Sequence, residues 1–113
     1  MIAVIFEVIP AMEGKEEYLA IAAGLRDRLV DIPGFISIER FQSLTDPGKM
    51  LSLSFWEDEA SIAQWRNLDM HRAAQNKGRD SLFKDYRIRV GPVIRDYSLS
   101  DRAQAPEDSM NRA

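Results

Sequence analysis

The chain has 113 residues, enough for one domain and too few for two independent cores, so a site must be built within one core or between copies of it. Its formal charge of -3 arises from 15 basic and 18 acidic residues mixed along the chain, which leaves no electrostatic footprint for nucleic acid. Cysteine is absent, excluding disulfides, thiolate nucleophiles and sulfur-ligated metals and fitting a reducing, cytoplasmic setting.

The first ten residues, MIAVIFEVIP, are apolar without a basic leader or a small-residue cleavage site, and nowhere does an apolar run approach the roughly 20 residues of a membrane span. They read as a strand over 2–9, in which Ile2, Val4, Phe6 and Val8 alternate with Ala3, Ile5, Glu7 and Ile9. The period then changes. Over 13–31, Tyr18, Ala22, Leu25, Leu29 and Ile32 follow at spacings of four, three, four and three, one stripe down a helix that Pro33-Gly34 ends. Two strands are predicted over Phe35 to Leu44 and Lys49 to Trp56, and Thr45-Asp46-Pro47-Gly48 between them presets the turn of an antiparallel hairpin. Asp58 is placed to cap a second helix carrying Ile62 and Trp65, and Gly78 is a plausible stop for that helical region. A last strand is predicted over Tyr86 to Tyr97, with Gly91-Pro92 marking a bulge or a change of edge.

The order is βαββαβ, which with right-handed connections gives an α+β, ferredoxin-like fold: a four-stranded antiparallel sheet with both helices on one face. The uncovered face of such a sheet is polar in a monomer. Here large apolar residues stand at both parities: Leu51, Leu53 and Phe55 against Met50 and Trp56, Ile36 and Ile38 against Phe35 and Phe41, Phe6 and Val8 against Ile5 and Ile9. Two covered faces in so small a chain predict a homodimer with sheet packed on sheet. The domain is expected to span 1–97. From 98 to 113 the composition turns polar, and this tail is expected to dock on the partner subunit.

The most informative stretch is Phe55 to His71, FWEDEASIAQW followed by LDMHRAAQNKG, where a strand runs into a capped helix bearing Trp65 and then the chain's one histidine. This region resembles the signature region of the antibiotic biosynthesis monooxygenase (ABM) family, and the resemblance extends over residues 1 to about 97. It implies a dimeric α+β barrel. For the quinone-forming members it also implies oxygenation of a phenolic or anthrone-like substrate by dioxygen without metal or flavin, because the substrate's own carbanion or phenolate passes an electron to oxygen. The tryptophan of those members matches Trp65; six residues later they carry a tyrosine where this chain has His71, and one turn earlier an asparagine where it has Ser61. Arg87 lies near the strand position of their pocket arginine.

The reading that follows is a cofactor-independent monooxygenase for a small aromatic or phenolic substrate. Trp65 would form a wall, His71 the proton-handling group, and Tyr86 or Arg87 an oxyanion or hydroxyl partner beside Ser61. Trp65 and His71 are six apart, about 120° around an unbroken helix, so they share a cavity only if the helix breaks at Asn67-Leu68-Asp69. Blander readings stand beside these: Trp65 as a packed core residue, His71 as a partly exposed histidine, Glu57-Asp58-Glu59 as a cap, and Arg87, Arg89 and Arg95 as a solvated strand face. The alternative functions are a non-catalytic dimeric domain that binds a small molecule, and haem binding. The haem-degrading relatives need an asparagine in the first strand and a histidine ten residues after the tryptophan, positions filled here by Phe6-Glu7-Val8 and Gln75.

Overall fold

A computed structural model of the chain describes residues 1–11, 14–67 and 83–109. The elements are β1 (Ile2–Pro10), α1 (Lys15–Leu29), β2 (Phe35–Gln42), β3 (Met50–Trp56), α2 (Glu59–Arg66) and β4 (Phe83–Pro92), followed by a 3-10 turn at Glu107–Ser109. The four strands form one sheet in the order β2-β3-β1-β4, with every neighbouring pair antiparallel. This is the α+β, ferredoxin-like arrangement that the period changes predict.

The stripe of α1 buries Tyr18, Ala22, Leu25 and Leu29. Helix and turn then end together, as Phe35 N–H donates to the Ile32 carbonyl and Gly34 takes a φ of 90°, a left-handed conformation that a side chain would strain. Leu29, Ile32, Trp56 and Ile62 make the best buried cluster, and Phe35 meets Trp56 edge-to-face with ring centroids 5.3 Å apart. Burying the indole leaves its N–H in need of an acceptor, and the Ser54 hydroxyl supplies one at 2.9 Å.

The β2-β3 turn is built as its residues dictate: Asp46 Oδ1 accepts from Gly48 N–H at 3.0 Å and the Asp46 carbonyl from Lys49 N–H at 3.0 Å. Two details differ from the simple alternation. The register shifts between Phe35 and Ser37, so Phe35 and Ile38 share the core face while Ile36 is left 46% exposed. In β4 the strand begins at Phe83 and ends at Gly91-Pro92; the irregularity lies at its other end, opposite Ile9 and Pro10.

On the face away from the helices, Ile5, Leu51, Leu53 and Phe55 are only half-buried. Glu7 stands among them, 3.1 Å from Lys49 Nζ and 3.0 Å from Arg89 Nη1. The hydrogen bond from Lys49, with both cations' fields, holds its carboxyl below the usual carboxylate range.

Beyond β4 the described residues make contacts within the chain. Val93 N–H donates to the Met1 carbonyl, Asp96 N–H to Gln104 Oε1, and Ser98 N–H to the Asp101 carbonyl, while Arg102 stacks over Tyr97 with its guanidinium carbon 5.2 Å from the ring centre. Ala105 is buried, whereas Ile94 and Leu99 are 83% and 74% exposed. Among the described residues, no helix is long and apolar enough to cross a membrane.

Candidate functional site

Between α1, α2 and the sheet lies a cavity of about 330 Å³. Its floor follows from strand alternation, since away from the irregularities at 35–37 and 83–85 the strand residues of even number face the helices. Across the sheet, one row reads Arg40, Ser52, Phe6, Ile88 and the next Ile38, Ser54, Val4, Val90. Placing two serines on the central strand β3, between large apolar neighbours, lowers the floor under α1. Trp56, Ile62 and Trp65 close one end. At the other end Phe83 packs edge-on against Tyr18, Phe6 and Tyr86 at centroid distances of 5.4, 5.9 and 5.9 Å. A second groove of about 640 Å³ lies between α1 and β2, with Leu19, Ala23 and Arg26 opposite Ser37 and Glu39; none of the site residues predicted from the sequence lines it.

The structure treats those predicted residues differently. Trp65 lines the cavity and packs against the buried cluster, so its core role and its wall role coincide. Tyr86 also lines it and remains 42% exposed. Ser61 is buried beneath α2 instead: its hydroxyl and its N–H both donate to Asp58 Oδ1 at 2.8 Å. Asp58 is therefore the N-cap, with extended backbone, and those two bonds hold its carboxyl below the usual range against the opposing effect of burial. The same serine fixes the turn before β2, because a Cβ built on Gly34 would sit 2.0 Å from Ser61 Oγ. Arg87 falls between Tyr86 and Ile88 and by alternation belongs to the opposite face, opposite Glu7 in register; it is not brought to the cavity. His71, with Leu68, Asp69 and Gly78, lies outside the described residues. What is visible is that α2 ends at Arg66, where Asn67 N–H and Nδ2 both return to the Ala63 carbonyl, at 3.0 and 2.8 Å.

Sequence reasoning missed Arg40, Ser52 and Arg66. A signal existed for the first two: Ser52 and Ser54 interrupt the apolar parity between Met50 and Trp56, and Arg40 follows Ile38 on the same parity of β2. Arg66 is recognisable only by its place in the last turn of α2, where a cation complements the helix dipole.

The model of the antibiotic biosynthesis monooxygenase family matches residues 1–77. The chain belongs to this family. The chain is 50% identical over 93 residues to the "Jasmonate monooxygenase ABM" of Pyricularia oryzae, a match covering 82% of this chain and 43% of that protein, so the chain spans less than half the relative's length. It is 31% identical over 93 residues to the uncharacterized protein YqjZ of Bacillus subtilis, covering 82% of this chain and 79% of YqjZ. The crystal structure of Rv0793 from Mycobacterium tuberculosis superposes with a TM-score of 0.76 at 13% identity, covering 86% of this chain and 98% of its own, a likeness of fold.

Proposed function

We propose that this ABM-family chain is a monooxygenase for a small, mostly apolar ring compound, with phenolic, quinol or anthrone-like substrates as the leading class, acting as a homodimer in the cytoplasm. The observation that carries the reading is the aromatic-walled cavity between helices and sheet, of a size to enclose a small ligand. An apolar-walled pocket suits the chemistry, because removing a proton from such a substrate yields a carbanion or phenolate whose electrons reduce dioxygen. For an anthrone-like methylene the balance closes without another reductant: CH2 and O2 give C=O and H2O, four electrons passing from carbon to oxygen.

Trp65 is a wall, the Tyr86 hydroxyl donates to the developing oxyanion, and His71 takes the proton, an assignment that rests on sequence alone. The printed name of the Pyricularia oryzae relative favours a second reading, a jasmonate-type cyclic ketone. Hydroxylating a carbon of such a ketone consumes two electrons from a reductant. An oxygen electrode tests both: hydroquinones and anthrones alone, and jasmonate with and without NADPH and flavin. Uptake with the first set supports the leading class and uptake with the second alone moves the assignment. No uptake with either leaves a non-catalytic binding domain.

The dimer rests on the half-buried apolar face around Leu53 and Phe55, which a second copy would cover. The exposed Ile94 and Leu99 of the last segment support its docking on that copy.

A further inference from the structure

Two arginines, Arg40 on β2 and Arg66 at the end of α2, reach the cavity wall, and among the described residues no aspartate or glutamate joins them there. This reverses the balance of the whole chain, whose formal charge is -3. Arg40 is the more telling, for its Nε is buried without a hydrogen-bond partner. Arg102 Nε is buried and unpaired too, but its guanidinium lies over Tyr97 and donates to the carbonyls of Ser98 and Ser109. No such hydrogen bond or ion pair supports Arg40 among the described residues. Its neighbour across the strand pair is Ser52, whose side chain faces the same cavity.

An N–H withdrawn from water and left unpaired is unfavourable, and the half-buried guanidinium that carries it offers a planar fork of donors matching the two oxygens of a carboxylate. Apart from the hydroxyls of Ser52, Ser54 and the two tyrosines, the remaining wall is apolar and aromatic, suited to a hydrocarbon body rather than a second charged end. A volume of about 330 Å³ admits roughly eleven water-sized groups of about 30 Å³ each, the size of one or two fused rings.

We propose that the cavity binds an organic carboxylate with an apolar ring body, its head held by the Arg40 guanidinium and its body lying over Phe6 and Ile88. Arg66, exposed at the end of α2, adds positive potential to the same wall. This adds a carboxylate head to the ring substrates of the oxygenation proposed above and rests on that reading for its chemistry, while the binding itself follows from the cavity's charge.

The test is isothermal titration of the full chain at fixed moderate salt with 2-naphthoate and with 2-naphthol, which is uncharged at pH 7. The wild type should bind naphthoate at least tenfold more tightly. Arg40→Gln should lose most of that preference while keeping its naphthol affinity, and Arg66→Gln, at an exposed position that leaves the fold intact, should lose a smaller part of it. Equal affinity of the wild type for the two ligands, or an Arg40→Gln loss that is the same for both, would overturn the proposal. The wild-type comparison decides the matter even if Arg40→Gln does not fold. Oxygen uptake separates the two readings. Naphthoate preference with no uptake on any substrate removes the oxygenase and keeps the carboxylate site; uptake with no preference does the reverse.

Discussion

Ser52→Leu distinguishes an open cavity from a merely loose core by the sign of its effect. Ser52 is buried on the central strand with its side chain on the cavity floor, opposite Arg40 and Phe6 in register. Replacing hydroxyl by isopropyl adds two heavy-atom groups, roughly 60 Å³ at about 30 Å³ each, close to a fifth of the 330 Å³ available. If the space is there, two further buried methylene-sized groups stabilise the domain by about 1.6 kcal/mol at roughly 0.8 each. For a domain of this size that raises Tm by about 5 °C or more. If the space is filled, the same change overpacks the site and costs about 1–3 kcal/mol, lowering Tm. Circular-dichroism melts at fixed protein concentration read the sign, and titration of 2-naphthol reads the loss of ligand space. A lower Tm, or a higher one with unchanged naphthol affinity, would refute the cavity as the ligand site.

Gly34→Ala should destabilise by about 2–4 kcal/mol in urea titrations, because a Cβ would stand 2.0 Å from Ser61 Oγ and the backbone φ is 90°; Ser61→Ala in the same chain should recover part of the loss. Leu53→Asp should yield monomers or unfolded chain in size exclusion with light scattering, since it places a charge on the apolar face proposed to meet the partner. Acid stability has a definite sign. Asp58 and Glu7 both have folded pKa values held low, so their contribution is present above the ordinary carboxylate range and lost as pH falls through those lowered values. In melts from pH 6 to pH 3, Asp58→Asn should therefore show a shallower decline than wild type, and added salt should weaken the Glu7 part more than the Asp58 part.

Much of the fold was legible because each element announces its period and its end: the α1 stripe from Tyr18 to Leu29, the Asp46-Pro47-Gly48 turn, the Asp58 cap. Bulges are not announced. Nothing in Phe35-Ile36-Ser37 signals that a bulge will turn Ile36 outward and put Phe35 with Ile38, since the two alternations read equally well in a strand apolar at both parities. The cavity's wall was legible where one large side chain both packs on the core and lines the space, as at Trp65. Ser61 is placed on the helix by family likeness, yet its chemistry is local, spent on Asp58 and the close approach of Gly34. Arg87 shows the limit of alignment to within a residue or two: in a strand, one step exchanges cavity for opposite face. Arg40 needed the sheet itself, because β2 comes beside the cavity only through its pairing with β3.

The measurement that bears most directly on the proposed activity is mass spectrometry of the product formed from anthrone under 18O2. A monooxygenase working in this cavity places one labelled atom in the product, raising its mass by two units, at a rate well above the uncatalysed reaction and strongly reduced in Ser52→Leu. Label incorporation no faster than without protein, or equally fast in Ser52→Leu, would contradict it.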